Sequence, residues 1–224
     1  AMRIDPGHVG ELLDFFGARG DMARKELRVL HNLSFVEDPT RILRAVRFEL
    51  QLGFKMAPET EDLARWAMAT GTFDGRGGER NKAELVRVLE QPQALRGLER
   101  LADLGALRLL DPGLRWEPSL AAEVERVWTQ ACALDVPKRW LPPLMVLLAR
   151  VPDVGQMIAN LNLHGSEGEI VEEALKARPE PASPLEACEL FGALPLETLA
   201  FLPPSTWLTQ YLTAWRHVEV TVSG

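Results

Sequence analysis

From residue 20 onward almost every segment repeats its apolar residues with helical period and is bounded by helix start and stop residues. The alternation of a half-buried strand appears only at the two ends. This pattern predicts an all-α fold. The clearest helix runs from Pro39 to Leu52, with Asp38 at its N-cap, Pro39 at its first position and Gly53 just past its end. A second helix is predicted from Pro58 to just before Gly71 and a third over 79–90, separated by a loop with Gly71, Gly75, Gly77 and Gly78. Others are predicted over 93–103, 119–134, 140–150, 154–161, 167–177, 184–191, 196–201 and 206–215. The Pro-rich stretch 179–184 reads as an exposed connection.

The 224 residues, 46% of them hydrophobic, suffice for one good core or two small ones. A formal charge of −7 argues against a general nucleic-acid binder, because phosphate neutralisation needs Lys and Arg. The charge is uneven, however. Residues 21–108 hold 15 Lys/Arg against 14 Asp/Glu, whereas residues 109–224 hold 8 against 15. Any RNA backbone is therefore expected on the first half. The balance changes at Asp111-Pro112-Gly113, whose turn residues interrupt the helical pattern, and a division is expected near residue 112.

Two cysteines, Cys132 and Cys188, are too few for a disulfide framework or a thiolate cage and are expected to be buried thiols. No apolar run approaches the ~20 residues of a membrane span, and the N-terminus lacks the pattern of a secretory signal. These features predict a cytoplasmic protein with no membrane partner.

The segment Glu37-Asp38-Pro39-Thr40-Arg41-Ile42-Leu43-Arg44-Ala45-Val46-Arg47-Phe48 carries the strongest chemical signal. On a helix, Ile42, Leu43, Val46 and Leu50 fall within one arc, and Arg41, Arg44, Arg47 and Gln51 lie on the other side. Asp38 and Arg41 are three residues apart and emerge from the same side of the first turn. Asp is only an acceptor and Arg only a donor, so the pair shows a ligand one acceptor beside a fork of donors. Cytosine and adenine each place an amino donor next to a ring-nitrogen acceptor, and uracil and guanine reverse both. Such a pair would accept C and A and reject U and G. Spacing alone equally allows Asp38 to be a simple helix cap and the arginines a solvated face with acidic partners.

The stretch Leu27–Phe54 resembles the neck of the class II tRNA nucleotidyltransferase and bacterial poly(A) polymerase family, whose hallmark is Glu-Asp-x-x-Arg followed by x-x-Arg-x-x-x-Arg-Phe or a close variant. The resemblance implies that Asp38 and Arg41 contact the base of an incoming CTP or ATP and that Glu37 orients Arg41. Arg44 and Arg47 match the motif's later arginines and are taken as supporting residues. A second similarity covers Glu79-Arg80-Asn81-Lys82-Ala83-Glu84-Leu85, a helix the family packs beside the nucleotide-reading one. Its Arg80 and Glu84, four apart on one face, either brace Asp38 and Arg41 or form an ordinary surface pair.

The resemblance further implies an organisation in which residues 1–26 are the end of a nucleotidyltransferase head with its exit linker, 27–111 the neck, and 112–224 a helical body truncated before a tail. Met2–Asp5 and Gly10–Gly17 look like a strand-like remnant of that head, and Val218–Gly224 like the approach to the tail. The expected partners are the tRNA 3′ end, CTP and ATP, and the missing catalytic head. The variant Phe35-Val36-Glu37-Asp38-Pro39-Thr40-Arg41 is similar to necks of long bacterial members and leans towards a split CC- or A-adding enzyme.

Phosphoryl transfer by two metals needs clustered carboxylates, which in this family are an Asp-x-Asp pair with an upstream Gly-Ser turn. That combination does not occur, so no catalytic residue is assigned and Mg2+ is expected only in a full-length parent. Glu59/Glu61, Glu123/Glu125 and Glu167/Glu169 lie on or at the starts of predicted helices, where i and i+2 diverge, and are read as solvated acids. The histidines His8, His31, His164 and His217 lack zinc-like spacing. Trp66, Trp116, Trp128, Trp140, Trp207 and Trp215 are read as core. The function expected is the nucleotide-selecting and tRNA-binding part of an enzyme adding C and/or A to tRNA 3′ ends. A non-catalytic helical RNA-binding or interaction module, or a poly(A) polymerase fragment, is the alternative.

Overall fold

The computed structural model describes residues 2–71 and 78–217, and its backbone divides into two compact units, Ala1–Pro112 and Gly113–Gly224. Helices dominate both. The first unit contains α1 (Ala18–Arg24), β1 (Glu26–Leu27), α2 (Ser34–Glu37), α3 (Thr40–Leu52), β2 (Lys55–Met56), α4 (Pro58–Thr70), α5 (Gly78–Leu89), α6 (Ala94–Asp103) and a 3-10 turn, Ala106–Leu109. The second contains α7 (Pro118–Ala133), α8 (Leu141–Leu148), α9 (Val154–Asn160), α10 (Ser166–Lys176), α11 (Pro184–Gly192), α12 (Leu196–Phe201), α13 (Thr206–Gln210) and a π turn, Tyr211–Trp215.

The apolar arc of α3 becomes the centre of the first unit. Ile42, Leu43 and Val46 are buried against Leu85, Val88 and Leu89 of α5 and Leu98 and Leu101 of α6. Leu50 reaches the same contact, where α6 presents Gly97; a Cβ there would lie 2.6 Å from Val88 Cγ1 and 2.9 Å from Leu50 Cδ1. Absence of a side chain thus lets α6 approach α3 and α5 closely. The regular part of α3 starts at Thr40, later than the predicted Pro39, yet the capping chemistry lies at the expected residue. Asp38 is extended, Pro39 has helical angles, and Asp38 Oδ1 accepts the Thr40 N–H at 3.2 Å. Gly53 and Gly71 end α3 and α4 in the left-handed region, as helix-terminating glycines do.

Among the helices and strands, α1, α2, β1 and β2 escape the predicted periodicity. α2 spans four residues, too few to display a repeat. β1 and β2 form a parallel two-residue ladder pairing Glu26 with Lys55 and Leu27 with Met56. Strand pairing therefore occurs within the first unit, whereas alternation pointed only to the ends. The ladder rests on main-chain bonds, Lys55 N–H to Lys25 O and Ala57 N–H to Leu27 O, each 2.9 Å, which leave no side-chain signature. At the N-terminus the strand-like pattern reduces to a single antiparallel bridge, Met2 with Leu12. The expectation for Val218–Gly224 and most of the loop after Gly71 lie outside the described residues.

In the second unit every residue of α8 is buried, as expected of a short, wholly apolar helix. Arg126 of α7 donates to the carbonyls of Phe201 and Leu202, both at 2.9 Å, satisfying the end of α12. The predicted helix over 206–215 changes pitch part-way: α13 gives way to the π turn, closed by Arg216 N–H to Tyr211 O at 2.8 Å. Two expectations about burial fail. Cys132 is exposed and Cys188 only partly buried, because Cys132 lies one residue past Ala131, which ends the inward stripe of Leu120, Val124 and Val127. Trp140 is buried, but Trp66 is 51% exposed, since α4 turns Ala64, Ala67 and Met68 inward instead.

Candidate nucleotide-base site

The first turn of α3, the short α2 and the start of α5 border a cavity of about 880 Å³. Asp38, Arg41, Arg44, Phe48, Arg80, Glu84 and Arg87 all line it, with Leu27–His31, Ser34 and Phe35 along another side. Five arginines (Arg28, Arg41, Arg44, Arg80 and Arg87) face two carboxylates (Asp38 and Glu84). A chain of net charge −7 thus concentrates positive charge around its apolar-floored cavity, which favours an anionic ligand with an aromatic or apolar part.

Asp38 is held from two sides. Its Oδ1 accepts the Thr40 amide, and its Oδ2 accepts Arg80 Nη2 from α5. Its side chain is only 15% exposed, while that of Arg80 is 68% exposed. Arg41 Nε stands 3.7 Å from Asp38 Oδ2, too long for a hydrogen bond but close enough to set donor beside acceptor. Arg41 itself is anchored by α2: Nη1 donates to Ser34 Oγ at 2.8 Å and to Ser34 O at 3.0 Å. Its Nε and Nη2 make no hydrogen bond among the described residues, so this cavity-lining side chain keeps donors to offer. A buried bond from Thr40 Oγ1 to Asn81 Oδ1, 3.0 Å long, ties the start of α3 to α5 beside Arg80.

The structure brings the sequence-selected residues together but distributes them differently from expectation. Arg80 reaches Asp38, whereas Glu84 reaches neither Asp38 nor Arg41. It is buried and accepts Arg47 Nε at 2.8 Å and Arg87 Nη1 at 2.7 Å. Arg47, placed on the outer side of α3 by periodicity, is consequently enclosed: its guanidinium lies over Phe48, 4.4 Å from the ring centroid, and also donates to Gln51 at 2.9 Å. Arg44 remains exposed, 5.4 Å from the same ring centroid. Glu37 is 3.8 Å from Arg41 Nη1 and 3.5 Å from His31 Nε2, and the hydrogen bonds that orient Arg41 come from Ser34. Ser34, Asn81 and Arg87 were not selected from the sequence. Only Arg87, three residues after Glu84, carried a spacing signal.

The Glu-x-Glu pairs also separate. Glu61 is not a simple solvated acid: Arg100 approaches at 2.5 Å and Arg65 at 2.8 Å, and these two guanidiniums hold its carboxyl down at about 2. Glu59, Glu123 and Glu167 pair with Arg28, Arg150 and Lys138.

No family model matches the chain. An A-adding tRNA nucleotidyltransferase from Geobacter sulfurreducens is 30% identical over 252 residues, covering 100% of this chain and 29% of the relative. The solved Thermotoga maritima CCA-adding enzyme in complex with tRNA superposes with a TM-score of 0.80 at 27% identity, over 96% of this chain and 57% of that one. Over nearly its whole length the chain is thus similar to part of the tRNA nucleotidyltransferases. A CCA-adding enzyme complexed with CTP matches this chain with a TM-score of 0.82 at 26% identity, over 96% of this chain and 56% of its own. The complex with ATP gives 0.80 at 27%, over 94% and 55%. The chain therefore spans under a third of the curated relative and just over half of these solved enzymes. Among the described residues, no three His, Cys, Asp or Glu side chains come together in a way that could hold a metal ion. These described residues do not fit a Mg2+ site.

Proposed function

We propose that this chain is the nucleotide-selecting and tRNA-contacting part of a tRNA nucleotidyltransferase that adds C and/or A to the tRNA 3′ end. The observation that carries the reading is the convergence of Asp38 and Arg41 on one cavity, 3.7 Å apart, with each held by a different element. An acceptor and a donor fixed side by side match the amino group and ring nitrogen shared by cytosine and adenine. Each charge-assisted bond contributes ~1.5–3 kcal/mol, and uracil or guanine would leave both groups unpaired. Selection then needs no template. The solved relatives in complex with CTP, ATP and tRNA support the same ligands for this chain.

In this reading Arg80 and Ser34 keep the two base-reading groups in place, and Glu84 keeps Arg47 against Phe48. Transfer itself is assigned to a metal-binding head outside these residues, so the chain alone is expected to incorporate no labelled CMP or AMP into tRNA. The direct test is equilibrium titration of the chain with CTP, ATP, UTP and GTP. CTP or ATP should bind at least 10-fold more tightly than UTP and GTP, the lower bound for one charged hydrogen bond. Equal affinity for all four would remove the basis of the proposal.

A further inference from the structure

Four of the five cavity arginines are already engaged. Arg28 pairs with Asp21, Glu26 and Glu59, Arg41 donates to Ser34, Arg80 pairs with Asp38 and Arg87 with Glu84. Arg44 differs. Among the described residues its side chain has no acidic partner and no hydrogen bond, and its one contact of note is the Phe48 ring beneath the guanidinium. A guanidinium steadied on an aromatic face, with all its N–H donors unspent, is suited to a planar or bidentate contact with phosphate.

We propose that Arg44, held over Phe48, takes a backbone phosphate of the RNA 3′ end; the assignment rests on the nucleotide-selecting reading above. Arg44 follows Arg41 by three residues, about 4.5 Å along the helix axis. The Watson–Crick edge is the end of a nucleotide farthest from its own phosphates. A cation one turn from the edge-reading pair therefore meets a phosphate of another residue, and the RNA whose end is extended supplies it. Asp38 and Glu84, the two acids lining the cavity, are each neutralised by their own arginines and do not oppose an anion at Arg44.

Arg44→Gln removes the charge at an exposed position, and Arg44→Lys keeps the charge while losing the planar fork. Binding of tRNA is measured over a range of salt concentrations, with CTP and ATP titrated separately. R44Q should weaken tRNA binding and lower the slope of log affinity against log salt by about 0.7–0.9, one phosphate contact, while R44K retains the slope. Affinity for CTP and ATP should fall less than affinity for tRNA in R44Q. A slope unaltered in R44Q overturns the assignment, as does weaker CTP and ATP binding with tRNA binding intact, which would put Arg44 on the nucleotide's own phosphates. Failure of the unsubstituted protein to distinguish the four nucleotides or to bind tRNA would instead overturn the nucleotide-selecting reading.

Discussion

Replacing Asp38 by Ser separates base reading from helix capping at one residue. The carboxylate has two tasks in the structure: Oδ1 accepts the Thr40 amide at 3.2 Å, and Oδ2 receives Arg80 beside Arg41. A serine hydroxyl retains a capping oxygen, so the ~1 kcal/mol that loss of a cap costs is largely kept. The pair with Arg80 is lost, but Arg80 is 68% exposed, and ion pairs with such partners contribute only ~0–1 kcal/mol. Unfolding stability should therefore change by less than about 1 kcal/mol. Discrimination should change far more. Loss of the acceptor for the base amino group removes ~1.5–3 kcal/mol, roughly 10- to 150-fold in preference for C or A over U. Calorimetric titration with CTP, ATP and UTP, alongside a thermal melt of the same sample, measures both. If the Ser variant folds normally and still rejects UTP as strongly as the original protein, Asp38 is a cap and the base-reading argument is wrong.

Three further outcomes are expected. Glu84→Ala strands the enclosed Arg47 guanidinium and should destabilise the fold by ~3–5 kcal/mol in denaturant unfolding, with Glu84→Gln milder because an acceptor oxygen remains; a loss under 1 kcal/mol for Ala would contradict the burial argument. Gly97→Ala gains helix propensity of ~1 kcal/mol but drives a methyl to within 2.6 Å of buried, β-branched Val88, so net destabilisation of about 1–3 kcal/mol should appear as a lower Tm. Glu61, depressed from 4.5 to about 2 by Arg100 and Arg65, stabilises the folded form fully above its unfolded value, and that contribution drains as pH falls from about 4.5 towards 2. Melts across this range should show Glu61→Gln flattening the acid limb, and an unchanged limb would show that the network is screened by solvent.

Helix placement was legible because start and stop chemistry is local. Gly53 and Gly71 terminate helices, Asp38 caps one, and the apolar arc Ile42, Leu43 and Val46 turns inward, all within a few residues of the signal itself. The adjacency of Asp38 and Arg41 belongs to the same class, since a three-residue spacing on one turn leaves little choice of direction.

Partnership is another matter. Period identifies the side of a helix that a residue occupies, but the element that comes to cover that side depends on long-range packing. Arg47 looked like a surface cation until Glu84, 37 residues away, enclosed it. Asp38 found Arg80 at a separation of 42, and Arg41 found Ser34 on a helix too short to announce itself. Cys132 and Trp66, read as buried by residue type, lie outward because neighbouring residues took the inward positions. Sequence thus determined the helices and the donor–acceptor pair at the start of α3, because both follow from backbone geometry over one or two turns. Only tertiary structure decided which charges are spent on each other and which, Arg44 among them, meet no acidic partner among the described residues, because electrostatic pairing is settled by distance in space rather than along the chain.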